Sequence, residues 1–220
     1  MKWLNSLDEL LYEVMSWVLF FPATLWRAAV SPFRLMEEIG AQASLPDDEQ
    51  YDRVLSPPLF LALALLLAHA LATALGQTDA IIANKHGLAA IVDDNTSALV
   101  LRVIIFAAFP LFLASRYVRA QQKVLGRRSL RIPFYEQCYP TATCALGLSA
   151  GTSLTQLAPE PIQIVGVVLL VVSSLYYVVV EVGWFSRSLQ TGFLRASGRV
   201  LLGLFEGAFF LLFVGFLFTR

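Results

Sequence analysis

Apolar residues in this chain gather in long unbroken stretches, without the 3.6- or 2-residue alternation of a water-facing element. Five stretches approach the roughly 20 mostly apolar residues that a helix needs to cross the hydrocarbon core of a bilayer. They are Pro57 to Leu75, Ala98 to Tyr117, Phe134 to Leu157, Pro161 to Val180 and Val200 to Phe218. Most are apolar all round, as expected of helices in lipid. The third is the exception, with Gln137, Thr141, Thr143, Ser149 and Thr152 along it. A span this polar is predicted to sit inside the bundle, with Pro140 kinking it. The expected fold is therefore all-α, a polytopic membrane protein with five transmembrane helices preceded by an interfacial amphipathic helix.

That leading helix is read from Trp3 to Met36, where Asp8, Glu9 and Glu13 mix with Leu10, Leu11, Val14 and Met15. Its most apolar part, Val14 to Trp26, is too short to span and contains Pro22. Trp17, Trp26, Arg27 and Arg34 fit a helix lying in the membrane interface. Acids follow the lone Lys2 and no cleavage site stands out, so the segment does not read as a signal peptide. An acidic linker with Asp47, Asp48, Glu49 and Asp52 leads to the first span. The chain divides into a cytoplasmic N-terminal region, 1–54, and a transmembrane domain, 55–220.

Composition agrees. Hydrophobic residues make up 57 % of the chain and charged residues 15 %, against about 25 % charged in a soluble domain. Sixteen basic residues balance sixteen acidic ones, so nothing suggests nucleic acid as a partner. The balance hides an asymmetry. Thirteen of the basic residues fall before span one, between spans two and three, or between spans four and five. The other three are Lys85, Arg102 and Arg220. The positive-inside rule then places the N-terminus in the cytoplasm and the C-terminus outside, in the periplasm if the membrane is a bacterial inner membrane. The six basic residues from Arg116 to Arg131 read as a topology determinant or as a patch for anionic lipid.

Three carboxylates lie at membrane depth or at its edge, where ionisable groups are costly and point to function. Glu136 is two residues inside span three, and Glu181 is at the cytoplasmic end of span four. Glu206 lies roughly 9 Å into span five at the helical rise. The trio, with His69 in span one, forms a candidate ligand or ion pathway. Snorkelling or pairing with a loop arginine would also account for Glu136 and Glu181. Glu206 is too deep and too short to snorkel, which makes it the leading candidate. Gly147 and Gly151 in span three, and Gly203 and Gly207 in span five, are small-xxx-small pairs that admit a close neighbour. Spans three and five are expected to face inward.

Other chemistry is sparse. Gly147-Leu148-Ser149-Ala150-Gly151 fits G-x-S-x-G, but the nucleophile elbow needs a strand-turn-helix setting that is absent from the pattern. An intramembrane serine hydrolase using Ser149 and His69 ranks third among the readings. Cys138 and Cys144 lie on different faces of one helix, and no metal-ligand spacing or nucleotide motif is present. No cofactor is implied.

The arrangement resembles the Yip superfamily of five-span membrane proteins, which has bacterial members. Three segments carry the resemblance: the apolar run Trp17-Val18-Leu19-Phe20-Phe21-Pro22-Ala23-Thr24-Leu25-Trp26, then Ser56-Pro57-Pro58-Leu59-Phe60 at the start of span one, and the polar, proline-bearing span from Phe134 to Gly151. Eukaryotic members bind prenylated Rab GTPases and carry an acidic-Leu-Tyr-Gly-Pro motif before their first span. Here that place reads Leu55-Ser56-Pro57-Pro58, so a Rab role is not carried over. The resemblance implies a non-enzymatic membrane scaffold or accessory subunit, whose partners are the bilayer and other membrane proteins or further copies of the chain. The alternative is a small transporter or permease using the intramembrane carboxylates.

Overall fold

In the computed structural model the described residues are 2–43, 45, 51, 54–76, 95–157 and 159–219, with side chains described except at 2–13, 95–102, 218 and 219. They form seven α-helices: α1 (Lys2–Val30), α2 (Pro32–Gln42), α3 (Pro57–Ala74), α4 (Asn95–Ala120), α5 (Arg127–Thr155), α6 (Glu160–Ser188) and α7 (Phe193–Thr219). Among the described residues there is no strand. The acidic linker residues Asp47, Asp48, Glu49 and Asp52, and Lys85 between spans one and two, lie outside the described residues.

Among the described residues four helices are long and apolar enough to cross a membrane: α3, α4 from Val103, α6 and α7. Val14–Val30 and Pro32–Gln42 together make a fifth candidate if that bent pair is one span. This is a multi-pass helical membrane protein. Helix α5, the third span of the sequence reading, does not reach that hydropathy, and its position explains why. It packs against α6, α3, α4, α2 and α1, so its neighbours are protein rather than lipid. Residues 136–142 are all buried, and no apolar coat is needed there.

The N-terminal segment departs from the expected single interfacial helix. Pro22 does not interrupt α1, which runs unbroken for 29 residues. The break comes at Ser31, where φ −136° and ψ 53° leave the helical region. Pro32 then opens α2 at a position that needs no N–H. The two helices bend by 118° at this break, and Arg27 of α1 pairs with Glu38 of α2 across it. Thr24 Oγ1 accepts the Leu55 N–H at 3.3 Å, and Tyr176 of α6 donates to the Ala28 carbonyl at 2.6 Å. Met15, Val18, Leu19 and Trp26 remain exposed on the outer face of α1.

Two clusters make the core. In one, Phe60 of α3 lies between Phe21 of α1 and Tyr139 of α5, each ring 5.3 Å away. Tyr139 then donates its hydroxyl to the Leu55 carbonyl at 2.6 Å, fixing the start of α3 against α5. The other cluster gathers Met36, Leu113, Tyr177, Phe185, Ala196 and Val200 from α2, α4, α6 and α7. Glycine sets the spacing between α5 and α6. A Cβ on Gly151 would meet the Gly166 carbonyl oxygen at 2.9 Å, and one on Gly166 would meet that of Gly151 at 2.8 Å. Gly147 lies likewise against Ser173.

The expectation that span five faces inward is corrected. Helix α7 lies at the edge of the bundle against α4 and α6. Gly203 and Gly207 do mark a close approach, with Leu113 and Phe109 of α4 where their Cβ atoms would stand. The opposite face, with Leu201, Phe205, Phe209 and Leu212, is exposed. Apolarity all round had no inward face to reveal; one glycine-bearing face packs and the rest meets the membrane.

Candidate functional site

Helices α5 and α6 run antiparallel, so descending positions on one face ascending positions on the other. Gly147 meets Ser173, Thr141 hydrogen-bonds Tyr177 at 3.0 Å between hydroxyls, and Gln137 stands beside Glu181. The seam therefore changes from small residues at one end to polar ones at the other. Residues four apart share a helix face, so Gln137 with Thr141, and Tyr177 with Glu181, form two facing polar stripes.

Glu181 is fully buried and Gln137 is 1 % exposed. Glu136, 8 % exposed, is close enough to Glu181 for the two charges to interact. The indole N–H of Trp184 stands beside Glu136, and the Gln137 carboxamide beside Glu181, both short of hydrogen-bond geometry. Among the described residues, both Glu181 carboxylate oxygens, both polar atoms of the Gln137 side chain and Trp184 Nε1 lack a hydrogen-bond partner. Buried polar atoms in native proteins are overwhelmingly paired, and a buried carboxylate without a counter-charge is costly. Such a cluster has room in its chemistry for a further group that carries positive charge.

The lid over this cluster is α2. A Cβ on Gly40 would run into Glu136 Oε1, so the carboxylate rests against bare backbone at a place only glycine leaves open. On the α4 side, Tyr117 lies within electrostatic range of Glu136 and packs edge-on against Phe185, ring centres 5.5 Å apart. Pro140 lacks the N–H that the Glu136 carbonyl would otherwise accept. Helix α5 nevertheless runs as one element from 127 to 155.

The three carboxylates of the sequence reading separate. Glu136 and Glu181 come together on α5 and α6. Glu206, the leading candidate from depth alone, is engaged elsewhere: Arg116 of α4 donates from Nε to Oε2 at 2.9 Å and from Nη2 to Oε1. No arginine contributes to the surroundings of Glu136 or Glu181 among the described residues. Arg187 instead stacks over Phe33 of α2, 4.1 Å from its ring centre. His69 sits half-buried on α3. It lies nine residues beyond Phe60, about 13 Å along the helix at 1.5 Å per residue, and is not among the groups around the carboxylate pair.

Ser149 lies within the unbroken helix α5, so the G-x-S-x-G run has none of the geometry of a nucleophile elbow. Cys138 and Cys144 are free and buried. Among the described residues no group of three or more His, Cys, Asp or Glu could hold a metal ion. The residues that depth alone did not select are Trp184, Tyr177, Thr141 and Gly40. For Thr141 and Tyr177 the signal was the i, i+4 spacing with Gln137 and Glu181 on two consecutive spans; Trp184 and Gly40 had no such signal.

No family model matches the chain, and no curated protein or solved structure is significantly similar to it.

Proposed function

We propose that this protein is a small five-span permease of a bacterial inner membrane that binds a small cation between Glu136 and Glu181. The observation that carries the reading is the full burial of Glu181 beside Glu136, with no cationic side chain among the described residues paired to either. Ionisable residues inside a membrane bundle are kept where they mark substrate or ion pathways. In this reading α5 is the central span, Glu206 and Arg116 are a structural brace, and the N-terminus is cytoplasmic. Purified protein in sealed vesicles, with proton- and sodium-sensitive dyes inside, tests it. Flux in the wild type that disappears in Glu181→Gln while the variant stays monodisperse and helical supports it. No flux in the wild type, or equal flux in the variant, refutes it.

A second reading is the non-enzymatic scaffold or accessory subunit implied by the Yip-like arrangement. It is favoured by the amount of helix surface left uncovered: 17 % of the residues in the α6 and α7 span windows are buried inside the chain. Lipid or partner helices would cover the rest. Purification in mild detergent decides here. A stoichiometric partner or defined oligomer supports the reading, and a lone monomer removes it.

A further inference from the structure

Two carboxyl groups that meet inside a helix bundle can take a metal ion, an organic cation or a proton. Space and ligand supply separate these. A Cβ on Gly40 would run into Glu136 Oε1, and one on Gly147 into Ser173 Oγ. A Cβ on Gly183 would come within 2.7 Å of the Phe33 ring. The contacts of α2 with α5, of α5 with α6 and of α2 with α6 are thus closer than a methyl group allows, which leaves no place for an organic cation between them.

A bare divalent ion takes about six oxygen ligands, and the surroundings of the pair fall short of that. Trp184 Nε1 and Gln137 Nε2 bring N–H groups to it. The Thr141 hydroxyl is committed to the Gln137 carbonyl at 2.8 Å and to Tyr177 at 3.0 Å. Among the described residues no group of three or more His, Cys, Asp or Glu could hold a metal. A proton needs no volume and one oxygen.

The two carboxyl groups are also unequal. Glu181 is fully buried and both its oxygens lack a hydrogen-bond partner, whereas Glu136 keeps 8 % of its surface. Water that reaches the pair meets Glu136 first. The other titratable groups around them are Tyr117 of α4, Cys144 of α5, and Tyr176 and Tyr177 of α6, types that are uncharged at neutral pH. On α2, Glu38 is taken up by Arg27 of α1, and Arg34 and Glu37 are exposed. Arg187 of α6 lies over Phe33, and His69 of α3 stands apart from the pair.

We propose that the cation is a proton, taken from water by Glu136 and stored on Glu181. Uptake forms an O–H bond on the Glu136 carboxylate. The transfer breaks that bond, forms one on the Glu181 carboxylate and returns Glu136 to its charged form. The inference rests on the permease reading, whose cation it identifies.

Infrared spectra of the purified full chain in lipid vesicles test it at neutral pH, where exposed carboxyl groups are ionised. The wild type should show the C=O band of a protonated carboxyl, and Glu181→Gln should remove it. Glu136→Gln should keep the band. On transfer to D2O, however, that band should exchange at least about a hundredfold more slowly, the low end of what a positioned acid-base side chain contributes. Glu136→Asp should recover part of the rate. Ser174→Ala, which removes an exposed hydroxyl of α6 bonded to the Leu170 carbonyl, should change neither band nor rate. The proposal is overturned by a missing band, by a band that survives in Glu181→Gln, or by unchanged exchange in Glu136→Gln. Loss of the band on adding sodium at constant pH would mark a metal-ion site and overturn it as well. These spectra do not depend on transport: absence of flux beside them refutes the permease alone, and sodium flux with sodium displacing the proton refutes the proton alone.

Discussion

Arg116 on α4 holds both carboxylate oxygens of Glu206 on α7, through Nε at 2.9 Å and through Nη2. Paired donors of this kind are stronger than single hydrogen bonds because two charge-assisted contacts share one geometry. The side chains are 27 % and 33 % exposed, so solvent or headgroup screening takes back part of the gain. Arg116→Ala should lower stability in detergent by roughly 1–2 kcal/mol. Adding Glu206→Ala should cost little more, because the partner is already lost. Chemical unfolding of the two single variants and the double variant checks this; strictly additive losses would show that the pair does not act as a unit.

The α5–α6 crossing predicts a contrast among glycines. Gly166→Ala would place its Cβ 2.8 Å from both the Gly151 carbonyl oxygen and the Thr155 nitrogen. Both are backbone atoms and cannot swing away. The loss should be about 1–3 kcal/mol, the usual cost of overpacking. Gly215 of α7 has nothing within 4 Å of such an atom. Gly215→Ala should be neutral or stabilising by up to about 1 kcal/mol, the helix-propensity gain. Thermal midpoints in one detergent compare the two directly.

Glu181→Gln separates stability from function. A buried carboxyl without a counter-charge is costly to ionise, and a neutral isostere carries no such cost. The variant should be at least as stable as the wild type while losing cation-dependent flux. A clear loss of stability, measured by unfolding, would mean that Glu181 serves the fold and would weaken its functional assignment.

Gly40→Ala tests the lid. The clash falls on the end of the flexible Glu136 side chain, which can move. Stability should change by less than about 1 kcal/mol, in the range of tolerated substitutions. The carboxylate would be displaced, so a response that uses Glu136 should weaken several-fold. Flux or cation titration of Gly40→Ala against the wild type reads this out.

Cys138 and Cys144 are 0 % and 5 % exposed. Both should resist a membrane-permeant maleimide in the folded protein and label fully after denaturation. Quantitative labelling of the native protein by mass spectrometry checks it; rapid modification of Cys138 would show that the α3–α5 contact opens.

The sequence by itself determined that this is a helical membrane protein. Hydropathy sums residue by residue over a window, so the apolar stretches ending near Leu75, Tyr117 and Phe218 needed no knowledge of their neighbours. It also marked α5 as the unusual span, because Gln137, Thr141 and Thr143 have no business facing lipid. The fates of the three carboxylates were decided by tertiary structure. Depth made Glu206 the strongest candidate, yet depth carries no information about what stands across an interface, and Arg116 stands there. Glu136 and Glu181 are 45 positions apart in the chain. They meet because Gly151 and Gly166 let α5 and α6 approach in one antiparallel register, and because α2 folds back at Ser31 to lay Gly40 over them. Composition along a chain is local; register, bend and closest approach are properties of pairs of helices, and those pairs made the site.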